Sequence, residues 1–512
     1  MSVAIKLFPD TYVDSVVQLR GMRAMREVDG VEWASAAMAT PANLETLREE
    51  GVDPAQVAGA GSNDFFLVVR AETDSVAAEA LSTGESAVMS SEPSRAATDD
   101  GDAPHTLREA VRAQPESNVA VISVPGDYAA LAAYQALSAD LHVLLFSDNV
   151  PVGKEVALKD HALSRGRLLM GPGAGTAMLG GVGLGFANVV RPGPVGVVAA
   201  AGTGAQEVTS LLDRWGVGVS QVIGVGGRDL SAEVGGRMAR AAVSALREDP
   251  ATEVILFVSK PPSPEVAATV LASAGDTPLV AALIGLDPEF PAPTGVILAD
   301  TLESGVIGTL GVLGVDAPDT TATIGPSPAQ ARSRLASGRR LIRGLFSGGT
   351  LCYESLVVLG RTVGEVRSNT PINKAWDLPA PPDSHQCLDL GEEEYTKGRP
   401  HPMIDPEARL EMLDQHAADP HVAVIILDVV LGHGADADPA KTLAPACESA
   451  MADGGPQVVA YVLGTDQDPQ GYRSQRDRLA AAGCILTETA ARASLIAAAI
   501  ATGDPGLEKM SL

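Results

Sequence analysis

The chain has 512 residues, of which 64 are Asp or Glu and 37 are Lys or Arg, so its formal net charge at pH 7 is −27. Nucleic acids and anionic membrane surfaces attract basic proteins, and this charge therefore argues against both as partners. Hydrophobic residues make up 46% of the chain and aromatic residues only 4%, which predicts cores built from Val, Ala, Leu and Ile.

The length and the 53 glycines favour several α/β domains with parallel sheets. The four cysteines lie far apart and form no CxxC pair, which predicts reduced cytosolic thiols and no metal site. No apolar run is long enough to span a membrane, and the first 20 residues lack the apolar segment of a signal peptide. We therefore predict a cytoplasmic protein that does not enter a membrane.

The first 90 residues alternate three strand-like runs with three helix-like runs, an order typical of a small split βαβ sandwich. We therefore expect a ferredoxin-like α+β domain over residues 1–90. The next stretch is rich in Ser, Asp, Gly and Thr, which predicts a flexible linker over residues 91–110.

The rest of the chain alternates aliphatic strands with helix-like segments, the pattern of parallel α/β folds. Residues 111–190 predict a Rossmann-like domain. Residues 191–316 and 339–512 predict two flavodoxin-like domains, joined by an Ala-, Pro- and Ser-rich linker over 317–338. Within the second of them, residues 366–405 predict one long loop.

Two loops of similar sequence each join a strand-like run to a helix-like one. They contain Gly202, Thr203 and Gly204, and Gly348, Gly349 and Thr350. Glycines let backbone N–H groups approach a ligand, the Thr hydroxyl adds a donor, and a helix N-terminus adds partial positive charge. Glu207 and Glu354 follow the two Gly-Thr pairs at the same spacing and are candidate substrate-binding residues. We predict one phosphate or carboxylate site shared by both loops; the alternative is two tight turns with a capping Thr.

Further candidates for substrate binding or catalysis lie after strands and in a proline-rich loop. They are Gly226, Gly227, Arg228, Arg399, His401 and His433. Arg suits a carboxylate or phosphate, and His suits proton transfer. The alternative for each candidate is that it belongs to a tight turn or is an exposed polar side chain.

Parts of the chain resemble acyl-CoA synthetases. Residues 118–315 resemble the α subunit of succinyl-CoA synthetase, chiefly over 194–229, which contains the first Gly-Thr loop and a Gly-Val-Gly-Gly sequence. Residues 405–505 resemble the ligase domain of the β subunit. The resemblance implies a Rossmann-like domain of the CoA-binding type, followed by one α-subunit-type and one β-subunit-type ligase domain.

The chain as a whole, with its segments 345–352 and 398–406, resembles the FdrA family. In the synthetases, two helices of the Gly-Thr type point at a phosphorylated histidine, so the resemblance implies a phosphate site between them. Where the synthetases keep an active-site acid, this sequence has Lys260. The phosphohistidine loop and the ATP-grasp module have no counterpart, so nucleotide use is not expected, and CoA binding is left open.

FdrA-like proteins are associated with ureide breakdown, as one subunit of an oxamate carbamoyltransferase that works with two unrelated proteins. The resemblance therefore implies carbamoyl transfer to phosphate, with carbamoyl phosphate and oxamate-like acids as small anionic substrates, and an oligomer with other subunits. In that reaction Lys260 and Arg399 would neutralise anionic oxygens, and His401 or His433 would carry a proton. Two alternatives stay open: an acyl-CoA synthetase, succinyl-CoA ligase-like, that borrows an ATP-grasp partner, and a non-catalytic scaffold.

Overall fold

A computed structural model describes residues 2–11, 13, 15–57, 59–89, 104–287, 289–396 and 399–512. None of the helices in these ranges is long and apolar enough to cross a membrane. The chain divides into two compact units, one formed by 1–103 with 397–400 and the other by 104–396 with 401–512. The two units are described separately.

The first unit is a three-stranded antiparallel sheet with helices. Its elements are β1 (Ser2–Phe8), α1 (Ser15–Arg26), β2 (Val31–Met38), α2 (Pro41–Glu49), a 3-10 helix (Pro54–Val57), β3 (Phe65–Ala71) and α3 (Asp74–Met89). The aliphatic and aromatic strand β3 is central and pairs antiparallel with both β1 and β2. Strands β1 and β2 are therefore parallel to each other with β3 between them, which is the split βαβ arrangement predicted from the sequence.

The second unit begins with a small parallel sheet, which forms the Rossmann-like part. Its elements are α4 (Leu107–Ala113), β4 (Val119–Ile122), α5 (Gly126–Ser138), β5 (His142–Leu145), α6 (Val152–Ser164) and β6 (Leu169–Met170). Helix α4 begins inside the segment predicted as a linker, because Thr106 and Glu109 form a reciprocal capping box. Residues 91–103 of the predicted linker lie outside the described residues.

The first flavodoxin-like domain has a seven-stranded sheet in the order β13-β12-β11-β9-β10-β7-β8. Its elements are β7 (Thr176–Leu179), β8 (Val182–Gly185), β9 (Pro192–Ala199), α7 (Gly202–Arg214), β10 (Val219–Gly224), α8 (Arg237–Glu248), β11 (Val254–Ser259), α9 (Pro264–Ala272), β12 (Leu279–Leu283), β13 (Val296–Ala299) and α10 (Leu302–Val312). Strands β9 to β13 are parallel, and the hairpin β7–β8 adds an antiparallel edge.

The second flavodoxin-like domain has a parallel sheet in the order β15-β16-β14-β17-β18-β19. Its elements, after the connecting helix α11 (Pro328–Ser333), are β14 (Leu341–Phe346), α12 (Gly349–Thr362), β15 (Val366–Arg367), β16 (His385–Asp389), α13 (Glu393–Thr396), α14 (Glu407–Ala417), β17 (Val422–Val430), α15 (Pro439–Met451), β18 (Gln457–Leu463), α16 (Tyr472–Ala481), β19 (Ile485–Leu486) and α17 (Ala490–Thr502). Three 3-10 helices lie at Lys374–Trp376, Ala452–Gly454 and Pro505–Lys509.

The prediction of one long loop over residues 366–405 is wrong. This segment contributes β15 and β16, and β16 lies directly beside β14 in the sheet. Strand β16 is only five residues long, and it is stabilised by pairing with β14, which is remote in sequence.

The strand order reverses at β9 in the first flavodoxin-like domain and at β14 in the second. Strand β10 lies on one side of β9 and β11 to β13 lie on the other; β15 and β16 lie on one side of β14 and β17 to β19 lie on the other. Such a reversal of strand order places the following loop at the carboxyl edge where α/β sheets bind ligands. Helices α7 and α12 start at these two edges, and one hydrophobic cluster containing residues of both helices joins the domains.

Candidate functional site

The two Gly-Thr loops lie against each other. The backbone N–H of Thr350 donates to Oγ1 of Thr203 at 3.4 Å. A Cβ on Gly204 would lie 2.9 Å from Cγ2 of Thr350, and a Cβ on Gly348 would lie 2.9 Å from Cγ2 of Thr203. Glycine is therefore required at both positions by the close approach of the two helix starts, and the loops face one region as the sequence predicts.

The two helix starts differ in how many of their N–H groups are occupied. At α12, Oδ2 of Asp428 accepts from the Gly348 N–H at 2.8 Å, and its Oδ1 accepts from the Ser347 N–H and hydroxyl. Buried Arg409 pairs with Asp428 in turn. At α7 the N-cap residue is Ala201, which has no capping side chain. Among the described residues no acceptor is found for the N–H groups of Gly202, Thr203 and Gly204, so these groups are available to a bound anion.

A cavity of about 350 Å³ opens beside these helix starts. Among the predicted site residues it is lined by Gly202, Thr203, Gly349, Thr350, Gly226, Gly227, Lys260 and His401. Lining residues that the sequence analysis did not select include Thr176, Asp389, Glu392 and Phe186. The cavity is thus shared by the two flavodoxin-like domains, and one of its walls also includes residues that follow β5 and β6.

Lys260 supplies positive charge to this cavity. It follows β11 directly and is half-buried. Its Nζ lies 3.3 Å from the position that a Cβ on Gly349 would occupy, and no ion pair of Lys260 is found among the described residues. An unpaired cation beside a helix N-terminus favours a bound anion.

Asp389 is a second acidic residue beside the start of α12. It ends β16 and is 3% exposed. A Cβ on Gly349 would collide with its Oδ2, while Oδ1 accepts from the Gly391 N–H at 3.0 Å. Burial raises the pKa of Asp389 to about 6, and the nearby Lys260 ammonium opposes that rise. The sequence analysis missed this residue, although a short apolar run ending in Asp-Leu-Gly was the available signal.

His401 enters the site as a neutral imidazole. The Met403 N–H donates to its Nδ1 at 3.2 Å, so the proton of the neutral ring lies on Nε2. Burial lowers the pKa of His401 to about 4, and the charge of Arg409 adds to this effect. Nε2 lies 2.7 Å from the Cβ position on Gly391. At neutral pH the ring therefore offers a hydrogen-bond donor rather than a titrating acid.

Thr176 adds an unpartnered hydroxyl to the start of α7. The residue begins the hairpin strand β7 and is 7% exposed. Among the described residues its buried Oγ1 has no hydrogen-bond partner, and it lies 3.6 Å from the Cβ position on Gly202. A buried hydroxyl without a partner is costly, and a bound polar ligand would satisfy it.

Glu207 and Glu354 lie away from the cavity, one turn into α7 and α12. Both are buried; Glu207 accepts from the Tyr461 hydroxyl at 2.6 Å, and Glu354 accepts from the Leu302 N–H at 2.6 Å. Burial raises the pKa of Glu207 to about 7 and that of Glu354 well above its usual value. Neither carboxyl group lines the cavity, so we assign them to the contacts around these helices.

Two other predicted residues, Arg228 and His433, also lie outside the cavity lining. Arg228 does not line the cavity but donates to the Val150 carbonyl and pairs with Glu155. His433 is exposed, and its backbone bridges to Ala187. Arg399 belongs to the first compact unit, so its predicted role remains a prediction.

The cavity gives a poor fit to CoA. CoA carries a pyrophosphate and a 3′-phosphate, and such groups are bound by several cations or N–H groups. Lys260 is the only cationic side chain along the described lining, and Asp148 and Glu392 stand at the same walls. The described residues also contain no cluster of three or more side chains that could hold a metal ion.

Three family models match separate parts of the chain. A model described as AllF, heavy metal-associated domain, matches residues 1–104. A CoA binding domain model matches residues 190–281, and a CoA-ligase model matches residues 345–500. The last two matches contain the starts of α7 and α12 respectively.

Curated relatives extend this similarity. The protein YahF of Escherichia coli K12 is 39% identical over 513 residues, covering 97% of this chain and 98% of YahF. The α subunit of ADP-forming succinate–CoA ligase from Aquifex aeolicus is 29% identical over 190 residues, 36% of this chain and 61% of that subunit. The ADP-forming sulfoacetate-CoA ligase subunit SauD of Bilophila wadsworthia is 29% identical over 191 residues, 35% of this chain and 64% of SauD. The chain thus spans less than two thirds of either ligase subunit.

Two solved structures that match the chain have low TM-scores. ATP citrate lyase from Methanothrix soehngenii, in complex with citrate and coenzyme A, matches with a TM-score of 0.31 at 20% identity, over 42% of this chain and 38% of that chain. The dinucleotide-forming acetyl-coenzyme A synthetase 1 of Ca. Korarchaeum cryptofilum matches with a TM-score of 0.28 at 15% identity, over 77% of this chain and 86% of that chain.

Proposed function

Because this chain belongs to the FdrA-like family of succinyl-CoA synthetase-like proteins, we propose that it is the phosphate-binding subunit of a carbamoyl- or acyl-phosphate transferase. The reaction type we infer is that of an oxamate carbamoyltransferase, in which a carbamoyl group passes between an oxalurate-like donor and phosphate. The observation that carries this proposal is the cavity that the two Gly-Thr helix starts share with Lys260.

Phosphate is held, in this proposal, at the N-terminus of α7. The N–H groups after Ala201 have no capping side chain, and the hydroxyl of Thr176 lacks a partner beside them. The ammonium of Lys260 supplies the charge that a dianion needs in a chain of net charge −27. Together these groups form an anion site of fixed dipoles, which requires little rearrangement when the ligand binds.

The groups on the opposite wall act on the carbamoyl carbon. The Nε2–H of His401 points toward Gly391 and donates to the oxygen on which negative charge builds during attack. A neutral donor suits this role, because it stabilises the developing charge without first binding phosphate as a counterion. In this proposal His401 is a fixed hydrogen-bond donor and not the proton carrier expected from the sequence. His433 lies on the exposed surface, and the proposal does not use it.

Reconstitution with the proteins encoded beside the gene tests this function. The assembled complex should form carbamoyl phosphate from an oxalurate-type donor and inorganic phosphate without added ATP or CoA. Phosphate-dependent consumption of the donor and release of oxamate are the two readouts. A complex that consumes no donor at saturating phosphate would contradict the proposal.

A second candidate function is an acyl-CoA synthetase that obtains its ATP-grasp domain from a partner. It is favoured by the matches to the CoA binding and CoA-ligase models. The poor fit of CoA to the cavity speaks against it. Titration of the chain with CoA, and incubation with ATP followed by analysis of acid-labile label on histidine, separate the two candidates: CoA binding together with a labelled histidine would favour the synthetase.

A non-catalytic scaffold is the third reading. It predicts no binding of inorganic phosphate at the α7 start, whereas the transferase and the synthetase both require an anion there. Phosphate titration of the isolated chain therefore distinguishes the scaffold from the two enzymes.

A further inference from the structure

Asp389 occupies a position that an anion site alone does not explain. Its carboxylate would collide with a Cβ on Gly349, so it lies at the start of α12, on the cavity side. Oδ1 accepts from the Gly391 N–H, and no described residue donates a hydrogen bond to Oδ2. A carboxylate beside the Lys260 ammonium repels phosphate when ionised, so its presence in the cavity calls for a chemical role.

We propose that Asp389 is a catalytic residue that moves the proton between the attacking phosphate and the leaving nitrogen during carbamoyl transfer. This inference rests on the proposed function. The two helix starts are then unequal: α7 holds the phosphate, and α12 presents an acid–base group held in place by β16.

The proton balance of the transfer requires such a group. A phosphate oxygen of HPO₄²⁻ attacks the carbamoyl carbon and forms the new C–O bond, and its proton passes to the Asp389 carboxylate. The C–N bond to the leaving amide then breaks, its electron pair goes to nitrogen, and Asp389 returns the proton to that nitrogen. An N-carbamoyl amide monoanion and HPO₄²⁻ thus give the free amide monoanion and dianionic carbamoyl phosphate, with no oxidant, reductant or nucleotide consumed.

The surroundings of Asp389 allow it to accept and donate a proton near neutral pH. Burial raises its pKa to about 6, the negative charges of Glu392 and Asp428 act in the same direction, and Lys260 opposes them. His401, also near Gly391, is neutral in this range. A general acid–base group is most effective when its pKa lies near the working pH.

The test compares Asp389→Asn with Asp414→Asn, which removes an exposed carboxylate of α14 outside this cavity. In the reconstituted complex, Asp389→Asn should lower kcat at least about 100-fold, because general acid–base catalysis commonly contributes that much. Its dissociation constant for inorganic phosphate, measured by calorimetry, should stay equal or fall, because a repelling charge is lost. Asp414→Asn should stay within about threefold of the wild type in kcat. The kcat of the wild type should fall at low pH as Asp389 becomes protonated, and the residual kcat of Asp389→Asn should not show this fall.

Three results would overturn the inference. One is an Asp389→Asn complex that retains more than a tenth of the wild-type kcat. Another is weaker phosphate binding together with a lower Tm, which would indicate a structural role for Asp389. The third is a wild-type chain that binds no phosphate, and only this result would also end the proposed function.

Discussion

Replacement of Lys260 by methionine should weaken the binding of inorganic phosphate to the isolated chain without destabilising the fold. The Lys260 ammonium faces the cavity beside Gly349 and has no ion pair among the described residues. Its loss removes an interaction with the ligand. The buried Asp389 carboxyl, whose pKa the ammonium holds down, can then take up a proton instead of remaining an unpaired charge. Methionine keeps the apolar stem that packs beside the strand end.

The expected size follows from the position of the charge. Two unit charges about 4 Å apart attract by about 4 kcal/mol at an effective dielectric constant of 20, which is an upper limit because this cavity is open to solvent and salt. A hydrogen bond to a charged group contributes about 1.5–3 kcal/mol. The dissociation constant should thus rise roughly 10- to 150-fold.

Isothermal titration with phosphate at pH 7.5 and low salt measures this change, and thermal unfolding monitors the fold. Lys441→Met is the matched control, because Lys441 is an exposed lysine of α15 outside this cavity; it should bind phosphate like the wild type. Equal dissociation constants for Lys260→Met and the wild type would refute the assignment of Lys260 to the anion site. A Tm lowered by several degrees would show instead that Lys260 acts through stability.

Three further outcomes follow from the buried polar groups. The double variant Thr203→Val and Thr350→Val should weaken phosphate binding in the same calorimetric assay with an unchanged far-UV spectrum, because only two hydroxyls are lost; unchanged binding would remove them from the site. Lys159→Met leaves two fully buried carboxylates without their shared cation and should lower the free energy of unfolding by about 3–5 kcal/mol in urea titration; a loss under about 1 kcal/mol would contradict this. Burial raises the pKa of Glu207 to about 7, above its value near 4.5 in the unfolded chain, so the folded state holds the proton longer and stability should fall as pH rises from 4.5 to 7, by up to about 3 kcal/mol. Glu207→Gln should flatten that part of the pH–stability curve, and a curve unchanged by this substitution would exclude Glu207 as its cause.

The two Gly-Thr loops could be found from the sequence because their signals are local. Each consists of an aliphatic strand, glycines and a helix start, and the rule for parallel sheets places both at carboxyl edges. The two loops touch through Thr203 and Thr350 because the two domains pack through α7 and α12.

Asp389 and Thr176 could not be found in the same way. Asp389 ends a five-residue strand that is stabilised by pairing with β14, and Thr176 begins a hairpin strand paired with β10. Neither position carries a periodic pattern long enough to reveal its element, because short strands depend on their partners more than on their own residues. Glu207 and Glu354 have a clear local pattern, since their matching spacing predicted substrate binding. Their position one helical turn into α7 and α12, however, directs their side chains into the protein interior.

By itself, the sequence determined most of the longer strands and helices, the parallel α/β class and the two helix starts, because glycine, aliphatic and acidic residues act through local conformation and charge. The tertiary structure decided which of the N–H groups at those helix starts stay open. Asp428 accepts from the N–H groups of Ser347 and Gly348 just before α12, whereas no side chain accepts from the residues at the start of α7. The difference arises because a hydrogen-bond partner supplied by a strand far along the chain depends on how the sheet is assembled, not on the residues next to the loop.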